Sequence, residues 1–265
     1  PLLKIKILVF NYFRKRGFDT YLINTLDHAS EEYVERLRVS DYILISTSHI
    51  FPHELISTVD FVRNRNKAAK IFLGGWTIFF LLKILNKRLA QPGENLYRGF
   101  DASSAALMIG ALRRAGADVL IGSRRGLDEA LEMIQNGYKS PYFFDDTYHL
   151  PLSDPELFKT AHLPLHLQAS SSVVVTSIGC SFNCRFCSYK RLYGMQHYLT
   201  PTEAVAMIEA ISQGRRNPLP HLRFADEVLN YPYQRLLEIC SLLVQKGIVL
   251  DWSGFLRFGN IDDRL

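Results

Sequence analysis

Three of the chain's four cysteines, Cys180, Cys184 and Cys187, fall within eight residues, in the segment Gly179-Cys180-Ser181-Phe182-Asn183-Cys184-Arg185-Phe186-Cys187. Thiolates are the soft ligands that iron–sulfur clusters prefer, and this spacing lets three sulfurs of one compact loop face a common centre. Three protein ligands leave one iron of a [4Fe-4S] cluster open, and an open coordination position marks a reactive centre rather than a purely structural one. Other uses of the thiols fit less well. Structural zinc wants four closed ligands in two separated pairs, whereas Cys240 lies far away in a helical segment. A bacterial ferredoxin repeats C-x2-C-x2-C and adds a fourth thiolate before proline; here the x3 gap comes first and Ser188 follows. A disulfide framework would use a dispersed set of cysteines.

The C-x3-C-x2-C spacing, with an aromatic residue before the last cysteine and a strand-like run before the first, resembles the signature of the radical S-adenosylmethionine (SAM) superfamily. The resemblance implies that Cys180, Cys184 and Cys187 hold a [4Fe-4S] cluster and that the amino and carboxylate groups of SAM chelate its fourth iron. It further implies reductive cleavage of SAM to methionine and a 5′-deoxyadenosyl radical, Phe186 beside the adenine, and a small-molecule or biosynthetic substrate. The electron would come from a donor such as flavodoxin or ferredoxin. Asp226 and Glu227, in Phe224-Ala225-Asp226-Glu227, stand where the family places a Gly-Gly-Glu element against the SAM amino group, although the glycines are missing here. Arg257 is a candidate partner for a carboxylate, with a surface ion pair as the alternative. Cys240 reads as a core thiol.

The elements that must position these residues alternate between strand and helix, so the fold class is α/β with parallel strands. In the first part, strands are expected at Thr20–Leu26, Asp41–Ser48, Lys70–Leu73 and Ala117–Gly122, with helices at Ser30–Arg38, near His53–Lys67 and at Leu127–Asn136, the last closed by Gly137. Leu2–Arg16 is read as a helix, with the domain's first strand expected upstream. Residues 138–168 lack apolar periodicity and read as a connector. The pattern restarts with a strand at Ser171–Ser177 and a helix at Thr200–Gln213, for which Thr200, Pro201 and Glu203 form a capping-box signature. A strand at His221–Ala225, a helix at Tyr233–Lys246 and a strand at Ile248–Phe258 follow. The expectation is a Rossmann-like parallel-sheet domain over residues 1–149, a linker over 150–168, and the first half of a (βα) TIM-type barrel over 169–265. Three strands are too few to close a barrel, so the chain reads as a fragment.

An α/β domain ahead of such a barrel is similar to the cobalamin-binding branch of the superfamily. The matching landmarks are Gly74-Gly75-Trp76 and Gly122-Ser123-Arg124-Arg125-Gly126, together with the linker Leu150-Pro151-Leu152-Ser153-Asp154-Pro155. Glycines after parallel strands let a ligand approach the backbone, and a tight turn is the plain alternative. Some cobalamin domains carry D-x-H-x-x-G as lower ligand; here Asp27-His28 is adjacent, and His28 reads as a loop or cap residue. The leading expectation is a cobalamin-type radical SAM enzyme, such as a methyltransferase. A methylthiotransferase without cobalamin is disfavoured because no cysteine precedes Cys180. An iron–sulfur module without SAM chemistry is the third possibility.

The bulk composition agrees with a globular enzyme. The chain has 265 residues, 48% hydrophobic and 22% charged, with a net charge of +5 dispersed as short runs such as Arg14-Lys15-Arg16. That distribution argues against a nucleic-acid surface. The most apolar stretch, Ile71–Leu85, is interrupted by Gly74, Gly75 and Lys83 and is too short to span a bilayer. No membrane association and a cytoplasmic setting are expected.

Overall fold

The computed structural model describes residues 9–21, 31–47, 52–86, 102–123, 126–145, 172–187, 189–190, 195–212 and 221–260. These belong to two compact units: Asp19–His149, and Leu150–Leu265 together with Pro1–Phe18. The expected strand at 20–26 (beyond Tyr21), Asp27-His28, the Arg124-Arg125 pair and the linker Leu150–Pro155 lie outside the described residues.

In the unit Asp19–His149, four strands form one parallel sheet in sequential order: β1 (Tyr42–Ser46), β2 (Lys70–Gly74), β3 (Val119–Ser123) and β4 (Tyr142–Asp145). The inner strands are the apolar ones. Ile71, Leu73, Val119 and Leu120 have no exposed surface, as parallel strands covered on both faces require. Helices α1 (Glu31–Val39), α2 (Pro52–Arg65), α3 (Trp76–Leu85), α4 (Ala102–Arg114) and α5 (Gly126–Asn136) connect or cover them. Leu55, Val59, Val62, Ile78, Leu82, Ile109 and Leu112 join the strands in one core. At the amino ends of β2 and β3, the Asp118 carboxylate accepts the Ile71 amide at 2.8 Å and pairs with Arg63 at 2.6 Å.

Two features of this unit correct the sequence reading. Tyr142–Asp145, expected within a connector, is the fourth strand, paired in parallel with β3 from Leu120↔Tyr142 to Ser123↔Asp145. Four edge residues, Tyr142 exposed and the other three half-buried, carry too little alternation to be read as a strand; pairing with β3 makes them one. Helices α3 and α4 both lie between the expected strands Lys70–Leu73 and Ala117–Gly122, where the sequence signals no helix. The apolar stretch Ile71–Leu85 divides into β2 and α3, turning at Gly75, which caps the helix with φ 102°. Only glycine takes that conformation without strain.

In the other unit, residues 9–14 are helical, in keeping with the helix expected for Leu2–Arg16. Strands β5 (Ser172–Val174), β8 (Leu222–Phe224) and β9 (Trp252–Ser253) form a parallel sheet in the order β5-β8-β9, joined through α6 (Pro201–Ser212) and α7 (Tyr233–Gln245). The strands are shorter than expected. Ser171–Ser177 breaks after Val174, and β6 (Ser177–Ile178) turns aside to pair antiparallel with β7 (His197–Tyr198). The expected Ile248–Phe258 strand contracts to Trp252–Ser253 and is followed by a 3-10 turn at Phe258–Asn260. The capping box of α6 forms: Glu203 accepts the Thr200 amide at 2.8 Å, and the Thr200 hydroxyl accepts the Glu203 amide at 3.3 Å.

Candidate functional site: the cysteine loop and its supports

The cysteine loop leaves the carboxyl end of β5 through Thr176 and Ser177, and both residues are gripped from below. Asp226, at the end of β8, has no exposed surface. Its carboxylate accepts the Thr176 amide at 2.7 Å, the Thr176 hydroxyl at 2.5 Å and the Ser177 hydroxyl at 3.0 Å. Arg235, from α7, donates to the Thr176 carbonyl at 3.0 Å and to the Leu199 carbonyl at 2.8 Å. Burial pushes the Asp226 carboxyl above the usual range, opposed by the Thr176 hydrogen bonds and by Arg235. A buried carboxylate and guanidinium therefore hold opposite sides of the same strand exit.

Beyond this exit the backbone turns at Gly179, with φ 87°. A Cβ there would stand 2.3 Å from the Met195 carbonyl oxygen, so the residue must be glycine for both reasons. The opposing segment is fixed by Gln196, whose amide donates to the Ser177 hydroxyl at 3.2 Å and to the Tyr231 carbonyl at 3.2 Å. Within the loop, Cys187 donates its amide to the Cys184 carbonyl at 3.1 Å, and the Tyr189 amide points at the Cys187 sulfur at 3.4 Å. Cys180 and Cys184 are half-buried and Cys187 is exposed. Phe186 is 94% exposed, an arrangement that leaves its ring free to stack on a ligand.

Glu227 differs from its neighbour. Burial pushes its carboxyl up to about 7, against a hydrogen bond with the Tyr189 side chain. One of its oxygens, Oε2, is buried without a hydrogen-bond partner among the described residues. Asp226 is thus consumed by the scaffold, while Glu227 retains an acceptor beside the loop. Arg257 lies with Nη1 3.9 Å from the Cys184 sulfur and its guanidinium 3.9 Å over the Phe182 ring. It forms no ion pair with a carboxylate among the described residues. Cys240 sits half-buried on α7, where burial pushes its thiol up, as a packed structural thiol does.

The donor set suits an iron–sulfur cluster by chemistry: three thiols on one loop, a backbone amide aimed at one sulfur and a cation near another. No three His, Cys, Asp or Glu side chains among the described residues are already gathered closely enough to hold an ion. The glycines of the other unit lie at the carboxyl ends of β2 and β3. At Gly74 a Cβ would meet nothing nearer than the Ile121 carbonyl at 3.9 Å, so the backbone is open to a ligand. At Gly122 the space is filled, with Leu82 at 3.0 Å and Phe144 at 3.2 Å of a would-be Cβ. Gly122 therefore serves helix–sheet packing, and Gly126 opens α5. Of the two glycine steps, the Gly74 backbone is the more open.

Thr176, Gln196, Asn230 and Arg235 escaped the sequence reading. Each acts on residues 19 to 59 positions away, so no local spacing signals them.

No protein-family model matches the chain. It is 24% identical over 251 residues to the hopanoid C-3 methylase of Methylococcus capsulatus, covering 91% of this chain and 45% of that protein. Its fold is similar to that of TsrM, a radical S-adenosylmethionine methyltransferase from Kitasatospora setae solved with cobalamin and a [4Fe-4S] cluster. The TM-score is 0.61 at 11% identity, over 93% of this chain and 50% of that one. The same protein with tryptophan and a SAM analogue bound gives a TM-score of 0.57 at 11% identity, over 93% and 48% of the two chains. The chain spans about half the length of the proteins it matches. The chain is thus similar in sequence to a hopanoid methylase and in fold to a radical S-adenosylmethionine methyltransferase solved with cobalamin.

Proposed function

We propose that this chain carries the cofactor-binding part of a radical SAM methyltransferase that acts on a small-molecule substrate. The observation that supports this best is the cysteine loop, with three thiols within eight residues and its base clamped by Asp226 and Arg235. Cys180, Cys184 and Cys187 would hold the cluster, Phe186 would lie along the adenine, and Glu227 would receive the SAM amino group. When bound, the cluster and SAM supply one-electron cleavage of a carbon–sulfur bond, and cobalamin at the Gly74–Gly75 step would supply a methyl carrier. A flavodoxin- or ferredoxin-type donor fits the need for a low-potential electron.

The chain's own residues prepare the site. Asp226 acts through Thr176 and Ser177 as a positioning residue, because its oxygens are occupied by the strand exit. Burial raises the Glu227 carboxyl to about 7, so it can exchange its proton near neutral pH. An arriving ammonium group favours the charged carboxylate, so binding releases a proton and strengthens as pH rises through 7. The sequence relative and the fold neighbour both bear methyltransferase names, and they act on very different molecules. Substrate choice therefore belongs to parts of the site that vary between them.

Anaerobic reconstitution of the full-length protein with iron and sulfide should give about four irons and four sulfides per chain with broad visible absorption. Substituting Cys180, Cys184 or Cys187 by alanine should abolish both. SAM and a low-potential reductant should then release 5′-deoxyadenosine or S-adenosylhomocysteine. A reconstituted protein that holds no cluster overturns the reading; one that holds a cluster but never consumes SAM leaves only an iron–sulfur module.

A further inference from the structure

We propose that Arg257 is a positioning residue for the cluster, donating from outside the ligand set to the Cys184 sulfur and thereby raising the cluster's reduction potential. The inference rests on the cluster reading above and goes beyond it by assigning a role to a residue outside the cysteine motif. Three observations converge. The guanidinium reaches the Cys184 sulfur at 3.9 Å, within hydrogen-bond range for the larger sulfur atom. Its plane is held 3.9 Å over Phe182, a residue of the cysteine loop itself, and Phe182 packs edge-on against Tyr231 at 4.9 Å. Its main chain is pinned on both sides by Asn230, which has no exposed surface: the Arg257 amide donates to Asn230 Oδ1 at 2.9 Å, and Asn230 Nδ2 donates to the Arg257 carbonyl at 2.8 Å.

A buried asparagine spending both ends of its amide on the backbone of one exposed arginine is a positioning device. A purely solvating arginine needs no such anchor, and Arg257 has no carboxylate partner among the described residues. What the device presents to the loop is a positive charge with one N–H donor, Nη1, towards the Cys184 sulfur. Electron density on a cluster's sulfurs increases on reduction. A donor to one of them therefore stabilises the reduced form more than the oxidised form, and the potential rises.

The test compares wild type, Arg257→Gln and Arg257→Lys in the full-length protein after anaerobic reconstitution. Iron and sulfide are counted first, and the cluster is then titrated by EPR at a series of fixed potentials. At the wild-type midpoint, Arg257→Gln should raise the oxidised-to-reduced ratio about tenfold, which is about 59 mV for a one-electron couple. Arg257→Lys, which keeps the charge but loses the planar fork, should shift it less. If Arg257→Gln does not fold or load, the midpoint of Arg257→Lys decides, and a value equal to wild type overturns the proposal. Equal midpoints in all three loaded proteins likewise overturn it while leaving the cluster reading intact. A wild-type protein that takes up no cluster overturns both together.

Discussion

Asp226→Ala probes the support beneath the cysteine loop. The carboxylate accepts three hydrogen bonds from Thr176 and Ser177. Hydrogen bonds to a charged group contribute roughly 1.5–3 kcal/mol each, so the gross loss is about 4.5–9 kcal/mol. Removing the carboxylate also relieves its burial cost, the same cost that pushes its pKa up. Arg235 is then left buried without its counter-charge. Arg235 loses the field of Asp226, and the Thr176 and Ser177 donors left buried and unsatisfied cost about 1–3 kcal/mol each, so about 3–5 kcal/mol net is the expected destabilisation. The chain has two tryptophans, Trp76 and Trp252, one in each unit. In a Trp76→Phe background, fluorescence therefore reports Trp252, which packs on Phe224 at 5.5 Å, two residues before Asp226. With a urea m-value of about 2 kcal/mol per molar, the midpoint should fall by roughly 2 M. Pairing with Arg235→Met should show a coupling of at least about 1 kcal/mol, because the two charges no longer strand each other. A midpoint within about 0.3 M of wild type, or strictly additive losses, would refute the scaffold role and return Asp226 to the list of ligand contacts.

Gly179→Ala should cost about 2 kcal/mol or more and abolish cluster uptake, since the new methyl meets the Met195 carbonyl in a left-handed backbone; urea melts and iron counts check both. Glu227→Gln should flatten the pH dependence of stability. The folded carboxyl at about 7 lies above its ordinary 4.5, so the folded state binds the extra proton and wild-type stability falls as pH rises between these values, then levels off. That rise corresponds to at most about 3 kcal/mol, discounted to roughly 1–2 because the group is only partly buried. The Gln variant should be the more stable protein at pH 8, and equal denaturation profiles from pH 5 to 8 would exclude the effect. Thr200→Ala should lower stability by about 1 kcal/mol through loss of the α6 capping box, measured by thermal melting.

Local sequence sufficed for features whose physics is local. The expected thiol set rests on ligand type and spacing, and the apolar runs at Ile43–Ile45, Ile71–Leu73 and Val119–Ile121, which read as strands, lie in the parallel sheet. Thr200 and Glu203 form their cap within one turn, and Gly137 closes α5 with φ 76°. Tertiary structure decided everything that depends on partners far along the chain. Tyr142–Asp145 becomes a strand only through the ladder that β3 offers it. Gly122, one of a pair of look-alike glycine steps, turns out to be filled by Leu82 and Phe144, while Gly74 stays open. Asp226 and Glu227 are adjacent acids that spacing cannot tell apart. Residues 49 and 50 positions upstream take the first into the scaffold, and partial burial beside the loop leaves the second with a spare oxygen and a near-neutral carboxyl. The spacing of the three cysteines suggests a metal chemistry by itself; which carboxylate and which arginine lie beside them is set by long-range burial and hydrogen bonding, which a linear pattern does not encode.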